Sequence, residues 1–371
     1  MEMSEPARAE TLVDPSLPLR MEPSTRFVAL AEGAFGPITS KTANGCIRYS
    51  PERVVAVLDS LRAGQTSQSV LGFGGDIPVV ATLEEALALG PTALLVGVAP
   101  TGGQLPSAWR DTIAEAARKG LDVWSGLHYF LADDPSLAAA AAEGGARIFD
   151  LRRPPRDLGV AAGRVRDVAS TVVLTVGSDC NIGKMTAQVQ LRDSLRARGE
   201  SVAFAATGQT GILVEGWGIA VDAVIADFIS GASERLVVQA ASTADIVLVE
   251  GQGSIIHPSY SGVTYGLLHG SLPHAMVLCH QPSRKAINKQ EWVPIPPLAE
   301  LIEMHEYVVR PLRPSKVIAI ALNTFDLSEE DARSAIAAAE AETGLPATDP
   351  VRYDPAPISD AIVAFHRSRL S

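Results

Sequence analysis

The sequence predicts an α/β protein made of two doubly wound parallel sheets, and three observations point there. Short runs of valine, leucine, isoleucine and alanine alternate with segments of helical period, and glycine- or proline-bearing turns separate them. Hydrophobic residues make up 47% of the 371, aromatic residues only 5% and charged residues 20%, a balance that supplies a large core and disfavours a β-sandwich. The length also exceeds one ordinary domain. Finally, Val172–Thr186 (VVLTVGSDCNIGKMT) reads as a buried strand, a glycine-bounded loop and the start of a helix.

The first 25 residues are acidic, contain prolines and lack a basic-then-apolar leader pattern, so a flexible arm is expected. Residues 26–150 read as a Rossmann-like domain. Its strands are Arg26–Leu30, Val54–Leu58, Leu94–Val98, Leu121–Trp124 and Arg147–Phe149, with helices at Ser107–Lys119 and Ser136–Glu143. Residues 31–49, which carry Lys41, Thr42 and Asn44, read as a loop. Thr82, with Glu85 three residues on, marks a capped helix start. Asp59 ends a buried strand, where an acid meets a ribose hydroxyl in a dinucleotide fold or, equally, caps a turn. The loops Gly72–Gly75 and Thr101–Gly103 are expected to line the cleft at the strand ends.

Residues 151–170 break the pattern with two prolines and Arg152, Arg153, Arg156, Arg164 and Arg166. They read as a linker whose arginines either solvate it or face an anion. Residues 171–371 then form a P-loop NTPase-like domain. The helix after the loop stacks Ala187, Leu191 and Leu195 and stops near Gly199. Strands follow at Ser201–Ala206, Asp245–Glu250, Ala275–Cys279 and Lys316–Leu322. Helices are expected after Ala226, at Pro297–Val308, at Glu329–Glu342 and at Ser359–Arg369.

Composition also limits function. A net charge of −11 argues against nucleic-acid binding, which needs a lysine- and arginine-rich surface. Three scattered cysteines form neither a disulfide framework nor a zinc spacing and fit a reducing cytoplasm. No run of 18 apolar residues suggests a membrane span. A small-molecule substrate, held in a local electropositive pocket, stays compatible with that charge, and a homo-oligomer is expected.

The chemistry concentrates in the second domain. Backbone N–H groups between Gly177 and Gly183 can cradle phosphate, with Ser178, Asp179, Cys180 and Asn181 in the loop and Lys184 supplying a full positive charge. Five residues separate the two glycines where the common P-loop has four. Met185 takes the place of the magnesium-binding hydroxyl, and Thr186 is its only local substitute. Cys180 is either a thiol activated by the helix dipole or a small filler. Glu250 closes an apolar strand, as a metal ligand (with Thr186, if magnesium is used), as a general base or as a turn cap. His257, His269, His274 and His280 follow on loops beside it, and His257 and His280 are the candidate bases. Arg284 and Lys285 can hold a substrate carboxylate. Gly251, Gly253 and Ser254 offer amides to an oxyanion. Asn323, at a strand end, can read a purine edge or make a turn.

The loop GSDCNIGKMT (Gly177–Thr186) resembles the P-loop of dethiobiotin synthetase-like enzymes, which also place five residues between the glycines. E-G-Q-G at Glu250–Gly253 is similar to their acidic strand end. More closely, K-T-A-x-G at Lys41–Gly45, the P-loop, and V-E-G-Q-G-S-I-x-H-P at Val249–Pro258 resemble a family long labelled as a domain of unknown function. Members of that family are assigned as D-glutamate N-acetyltransferases. The resemblance spans roughly residues 26–365. It implies acetyl transfer from acetyl-CoA to the D-glutamate amine, in D-amino acid catabolism that feeds a partner dehydratase or dehydrogenase-type step. On that resemblance Gly177, Gly183, Lys184 and Thr186 hold phosphate, and Glu250 or His257 takes the ammonium proton. An ATP- and magnesium-dependent ligase and a non-catalytic nucleotide-binding protein are the alternatives.

Overall fold

The computed structural model describes residues 19–98 and 105–371. Most of the expected arm and the loop Thr101–Gly103 therefore lie outside the described residues. The chain divides into two compact units between Asp157 and Leu158, and residues Ile212–Trp217 group with the first unit.

The first unit holds six parallel strands: β1 (Phe27–Leu30), β2 (Val54–Leu58), β3 (Val79–Val80), β4 (Ala93–Val96), β5 (Asp122–Ser125) and β6 (Ile148–Asp150). Their order is β3-β2-β1-β4-β5-β6, with Val28 opposite Leu94 in the central pair. That is the dinucleotide-fold order, with its switch point between β1 and β4. Helices cover both faces of such a sheet, so its strands are apolar throughout rather than alternating. All four residues of β1 and of β4 are buried accordingly.

Two expectations in this unit change. Residues Lys41–Tyr49 form a helix that buries Thr42, Ala43, Asn44, Cys46 and Ile47. Threonine, asparagine and glycine in its first half hide the helical signal, because all three are weak helix formers. Asp59 resolves as a turn cap. Its carboxylate accepts N–H bonds from Gly33 (3.2 Å), Phe35 (2.9 Å) and Leu61 (3.0 Å). Thr82 caps the N–H of Glu85 at 3.2 Å, and the Glu85 carboxylate reaches back to the N–H of Ala81.

The second unit holds β7 (Thr171–Gly177), β8 (Val202–Ala205), β9 (Ile246–Val249), β10 (Ala275–His280), β11 (Lys316–Leu322) and β12 (Ala347–Thr348). The order is β12-β11-β10-β7-β9-β8, again all parallel. Every residue of β7 is buried, and its C-terminal end opens between those of β10 and β9.

The arginine-rich segment is more firmly held than a linker. Glu234, only 1% exposed, accepts N–H bonds from Ala162 and Arg164 and pairs with the Arg164 guanidinium at 2.8 Å. Gly231, on the helix Ala226–Ala241, lies so close to residue 159 that a Cβ there would stand 1.8 Å from the Gly159 carbonyl oxygen. Arg153 pairs with Asp133 at 2.8 Å, and Arg152 donates to the Gly126 carbonyl. Partners distant in sequence thus take three of the five arginines.

Two histidines, His274 half-buried and His305 fully buried, are structural. The ring of His274 accepts the Val172 N–H at 3.0 Å, and that of His305 meets the Leu301 carbonyl at 2.7 Å. Burial first, then nearby positive charge, pushes His274 down to about 3; burial likewise pushes His305 down to about 4.

Two outcomes are expected. Gly231→Ala forces a backbone shift that costs about 2 kcal/mol and lowers the melting temperature by about 5 °C; an unchanged melt followed by circular dichroism would contradict this packing. Unfolding returns both histidines to their ordinary value near 6.5, so the unfolded chain binds more protons below that pH. The contribution of these two histidines to stability is therefore full above about pH 6.5 and falls as the pH drops toward about 4. A gap in urea midpoint between wild type and His305→Gln that stays constant across that range would refute it.

Candidate functional site

The strand β7 delivers the chain into the loop 178–183, and the helix Lys184–Ala197 begins directly after it. Two backbone positions make the tight path: Gly183 at φ +100° and Asn181 at φ +52°, residue types that tolerate left-handed geometry. Lys184 is 6% exposed and curls back against Gly177. Its Nζ donates to the Asp179 carbonyl at 2.6 Å. Burial lowers its pKa, while Cys180, Cys279 and Asp179 pull the other way. Met185 and Thr186 sit half-buried in the first helical turn.

Asp179 is fully buried and organises the loop mouth. Its carboxylate accepts the Cys180 N–H at 2.6 Å, the Asn288 N–H at 3.0 Å and the Arg284 Nη1 at 2.7 Å. Arg284 also donates to the carbonyls of Cys180 (2.8 Å) and Asn181 (3.3 Å). The arginine expected to clasp a substrate carboxylate is thus held by a carboxylate of its own chain. Lys285 is exposed and reaches the Pro282 carbonyl.

Cys180 departs from the activated-thiol expectation. Burial raises its pKa, and the opposing pull of Lys184 and Arg284 does not overcome it. Ligand-type atoms of Asp179, Cys180 and His257 lie within 4.8 Å of one another. Thiol, imidazole and carboxylate together suit zinc better than magnesium. Here, however, hydrogen bonds and the Arg284 ion pair already engage the carboxylate.

On the neighbouring strand end, Glu250 is 5% exposed. Its Oε2 accepts the N–H groups of Thr207 (2.8 Å) and Gly208 (2.9 Å), and its carbonyl accepts the Thr207 hydroxyl. A Cβ on Gly211 would come within 2.3 Å of that same oxygen. The residues Gln209–Glu215 form a helix that the T-G-Q-T-G sequence conceals. Burial pushes the Glu250 carboxyl up to about 7 against the pull of those N–H bonds; Asp222 adds to the rise and Lys184 opposes it. The Gly251 N–H, expected to face an oxyanion, instead donates to the Thr175 hydroxyl at 2.9 Å. Gly253 turns the chain at φ +67°, and Ser254 is fully buried.

The four histidines do not gather. His269 rides on the helix Ser261–Ser271 beside Tyr265, and His274 precedes β10, roughly 20 Å of strand rise from His280. His280 Nδ1 meets the Ser178 hydroxyl at 2.9 Å. Burial, with Lys285 adding to it, holds that ring down to about 4, so it is neutral at physiological pH. His257 is 4% exposed and packs on Tyr260, with its Nδ1 accepting the Ser259 N–H at 3.1 Å. In the neutral ring the proton therefore sits on Nε2. Asn323 lies beside the loop, its Nδ2 3.6 Å from where a Gly183 Cβ would stand.

The structure thus brings together the loop residues, Lys184, Glu250, His257, His280, Arg284 and Asn323 at one end of the sheet. Sequence reasoning missed Thr175, Thr207, Gly208, Gly211 and Asn288. The glycine-threonine run after β8 was the visible signal for Thr207, Gly208 and Gly211.

Residues 159–359 match the family described as "Domain of unknown function (DUF1611_C) P-loop domain", and residues 60–154 match "Domain of unknown function (DUF1611_N) Rossmann-like domain". A Tritonibacter scottomollicae protein named D-glutamate N-acetyltransferase is 37% identical over 334 residues, 88% of this chain and 95% of that protein. A Pseudoalteromonas sp. protein of the same name is 37% identical over 270 residues, 72% of this chain and 80% of its own. The crystal structure of a DUF1611 family protein from Anabaena variabilis superposes with a TM-score of 0.85 at 39% identity, covering 92% of this chain and 99% of that one. With both domains matched, in order and across nearly the whole length, the chain belongs to the DUF1611 family.

Proposed function

We propose that the chain is an N-acetyltransferase that moves the acetyl group of acetyl-CoA to the amine of D-glutamate or a similar acidic D-amino acid. The observation that carries this reading is the pairing of a P-loop with a buried carboxyl poised near neutrality. Lys184 and the loop between Gly177 and Gly183 fit a pyrophosphate, which coenzyme A presents without any need to cleave it. Met185 in the hydroxyl position suits a site that holds phosphates rather than hydrolysing them. The shared name of the two relatives supports D-glutamate as acceptor.

The reaction needs a neutral amine, and a base with a pKa near the working pH produces one most effectively. Glu250, at about 7, is that base. The freed lone pair attacks the thioester carbonyl, the carbon–sulfur bond breaks, and the coenzyme leaves as its thiol after taking up a proton. Lys184 and Asn323 hold the donor, and the exposed Lys285, next in the chain to Arg284, offers a charge to the acceptor's carboxylates.

Mixing protein, acetyl-CoA and D-glutamate is expected to release free thiol and form N-acetyl-D-glutamate, read by thiol assay and mass spectrometry. No thiol release with any acidic D- or L-amino acid, alongside ADP formation from ATP, would overturn the reading in favour of a ligase. Lys184→Ala is expected to weaken CoA binding at least about tenfold in calorimetry, with its far-ultraviolet spectrum intact.

Glu250→Gln is expected to lower kcat about a hundredfold or more. The wild-type kcat/KM should rise with pH and level off above about 7, the value to which burial lifts this carboxyl. The stability effect has the opposite sign. A carboxyl whose folded pKa lies above its unfolded one stabilises least once ionised, so the contribution of Glu250 to stability, opposite in sign to that of His274 and His305, declines as the pH rises from about 4.5 to 7. At pH 8 the glutamine variant should therefore unfold at higher urea than wild type, by up to about 3 kcal/mol.

A further inference from the structure

Asp179 and Arg284 form an ion pair that the proposed chemistry leaves unused, and its geometry is that of a device rather than a surface contact. The carboxylate is fully buried while the guanidinium is 19% exposed, so one partner is anchored and the other borders solvent. Asp179 fixes the arginine at 2.7 Å, and the Cys180 and Asn181 carbonyls hold Nη1 and Nη2 from the loop side. Among the described residues, Arg284 Nε has no acceptor. A guanidinium carries five N–H donors in a planar fork, and these bonds leave one edge uncommitted.

The same carboxylate takes the Asn288 N–H at 3.0 Å. Asn288 lies in the turn between the short strands Ala286–Ile287 and Gln290–Pro294, so Asp179 also ties this hairpin to the loop. The turn closes at Lys289, φ +65°, and Trp292 on the second strand is 74% exposed.

We propose that Asp179 is a positioning residue: its charge holds Arg284 at the mouth of the P-loop as the second cation, after Lys184, for a diphosphate ligand. This rests on the reading of the loop as the site of a phosphorylated donor. The pair is neutral as a unit, so Asp179 adds no net repulsion once Arg284 is in place. What it adds is direction. A free arginine spends its time among many rotamers in water, whereas a pinned one offers its open edge to an arriving phosphate without that ordering cost. Replacing Asp179 removes one negative charge and releases one positive charge to solvent. These changes roughly cancel, and the loss of directed N–H bonds to phosphate remains.

The test is a double-mutant cycle on CoA affinity, measured by calorimetry with inorganic pyrophosphate as a second probe. Asp179→Asn keeps the side-chain shape and is expected to weaken both ligands about tenfold; Arg284→Gln should do the same. The double variant should bind no worse than Arg284→Gln alone, because Asp179 acts through that arginine. Equal or tighter binding by Asp179→Asn overturns the proposal, as does a double variant whose loss is the product of the two single losses. Should Asp179→Asn fail to fold, Arg284→Lys decides the matter: pinned geometry predicts that lysine does not restore affinity, and full restoration by a point charge refutes it. A wild-type protein that binds neither ligand sinks the phosphate reading itself, and this proposal with it. Wild-type binding that Lys184→Ala abolishes and Asp179→Asn leaves untouched sinks this proposal alone.

Discussion

The crossing of Gly251 over Thr175 is the constraint on which the site depends. A Cβ at residue 251 would stand 1.7 Å from the Thr175 carbonyl oxygen. Only glycine lets the chain leaving β9 pass this close to β7. The Gly251 N–H then locks the crossing by bonding the Thr175 hydroxyl. Thr175 lies two residues before the P-loop and Gly251 one residue after Glu250. A single backbone approach thus sets the phosphate cradle and the buried carboxyl side by side, close enough for Lys184 and Glu250 to sense each other's charge.

Burial decides the electrostatics around that crossing. Lys184, Glu250, Cys180 and His280 all shift toward their neutral forms, and in each the removal of water outweighs every neighbouring charge. Asp179 is a fully buried carboxylate that meets one cation and two N–H donors. Hydrogen bonds and a counter-ion there take the place of the water that burial removes.

How much was legible in the sequence divides along the same line. The two sheets, the P-loop and the acid after β9 could be read, because each is carried by contiguous residues whose strand or helix period is strong. Lys41–Tyr49 and Gln209–Glu215 could not: short helices rich in glycine, threonine and asparagine owe their form to packing. The partners of the candidate residues were hidden by distance along the chain. Arg284 reaches Asp179 across 105 residues, and the Thr207 N–H meets Glu250 across 43. The histidines misled in the opposite sense. Neighbours in sequence, they are parted by a helix and a strand that carry the chain from one end of the sheet to the other.

The Ser259 N–H on His257 Nδ1 has a consequence for how labour divides within the site. A ring pinned in this way is a one-directional group. Its Nδ1 is committed to the Ser259 N–H, so the neutral ring presents a hydrogen at Nε2. Two residues that look interchangeable in the sequence thus differ in the fold: the Glu250 Oε2 accepts two N–H bonds, and the His257 ring presents an N–H at Nε2.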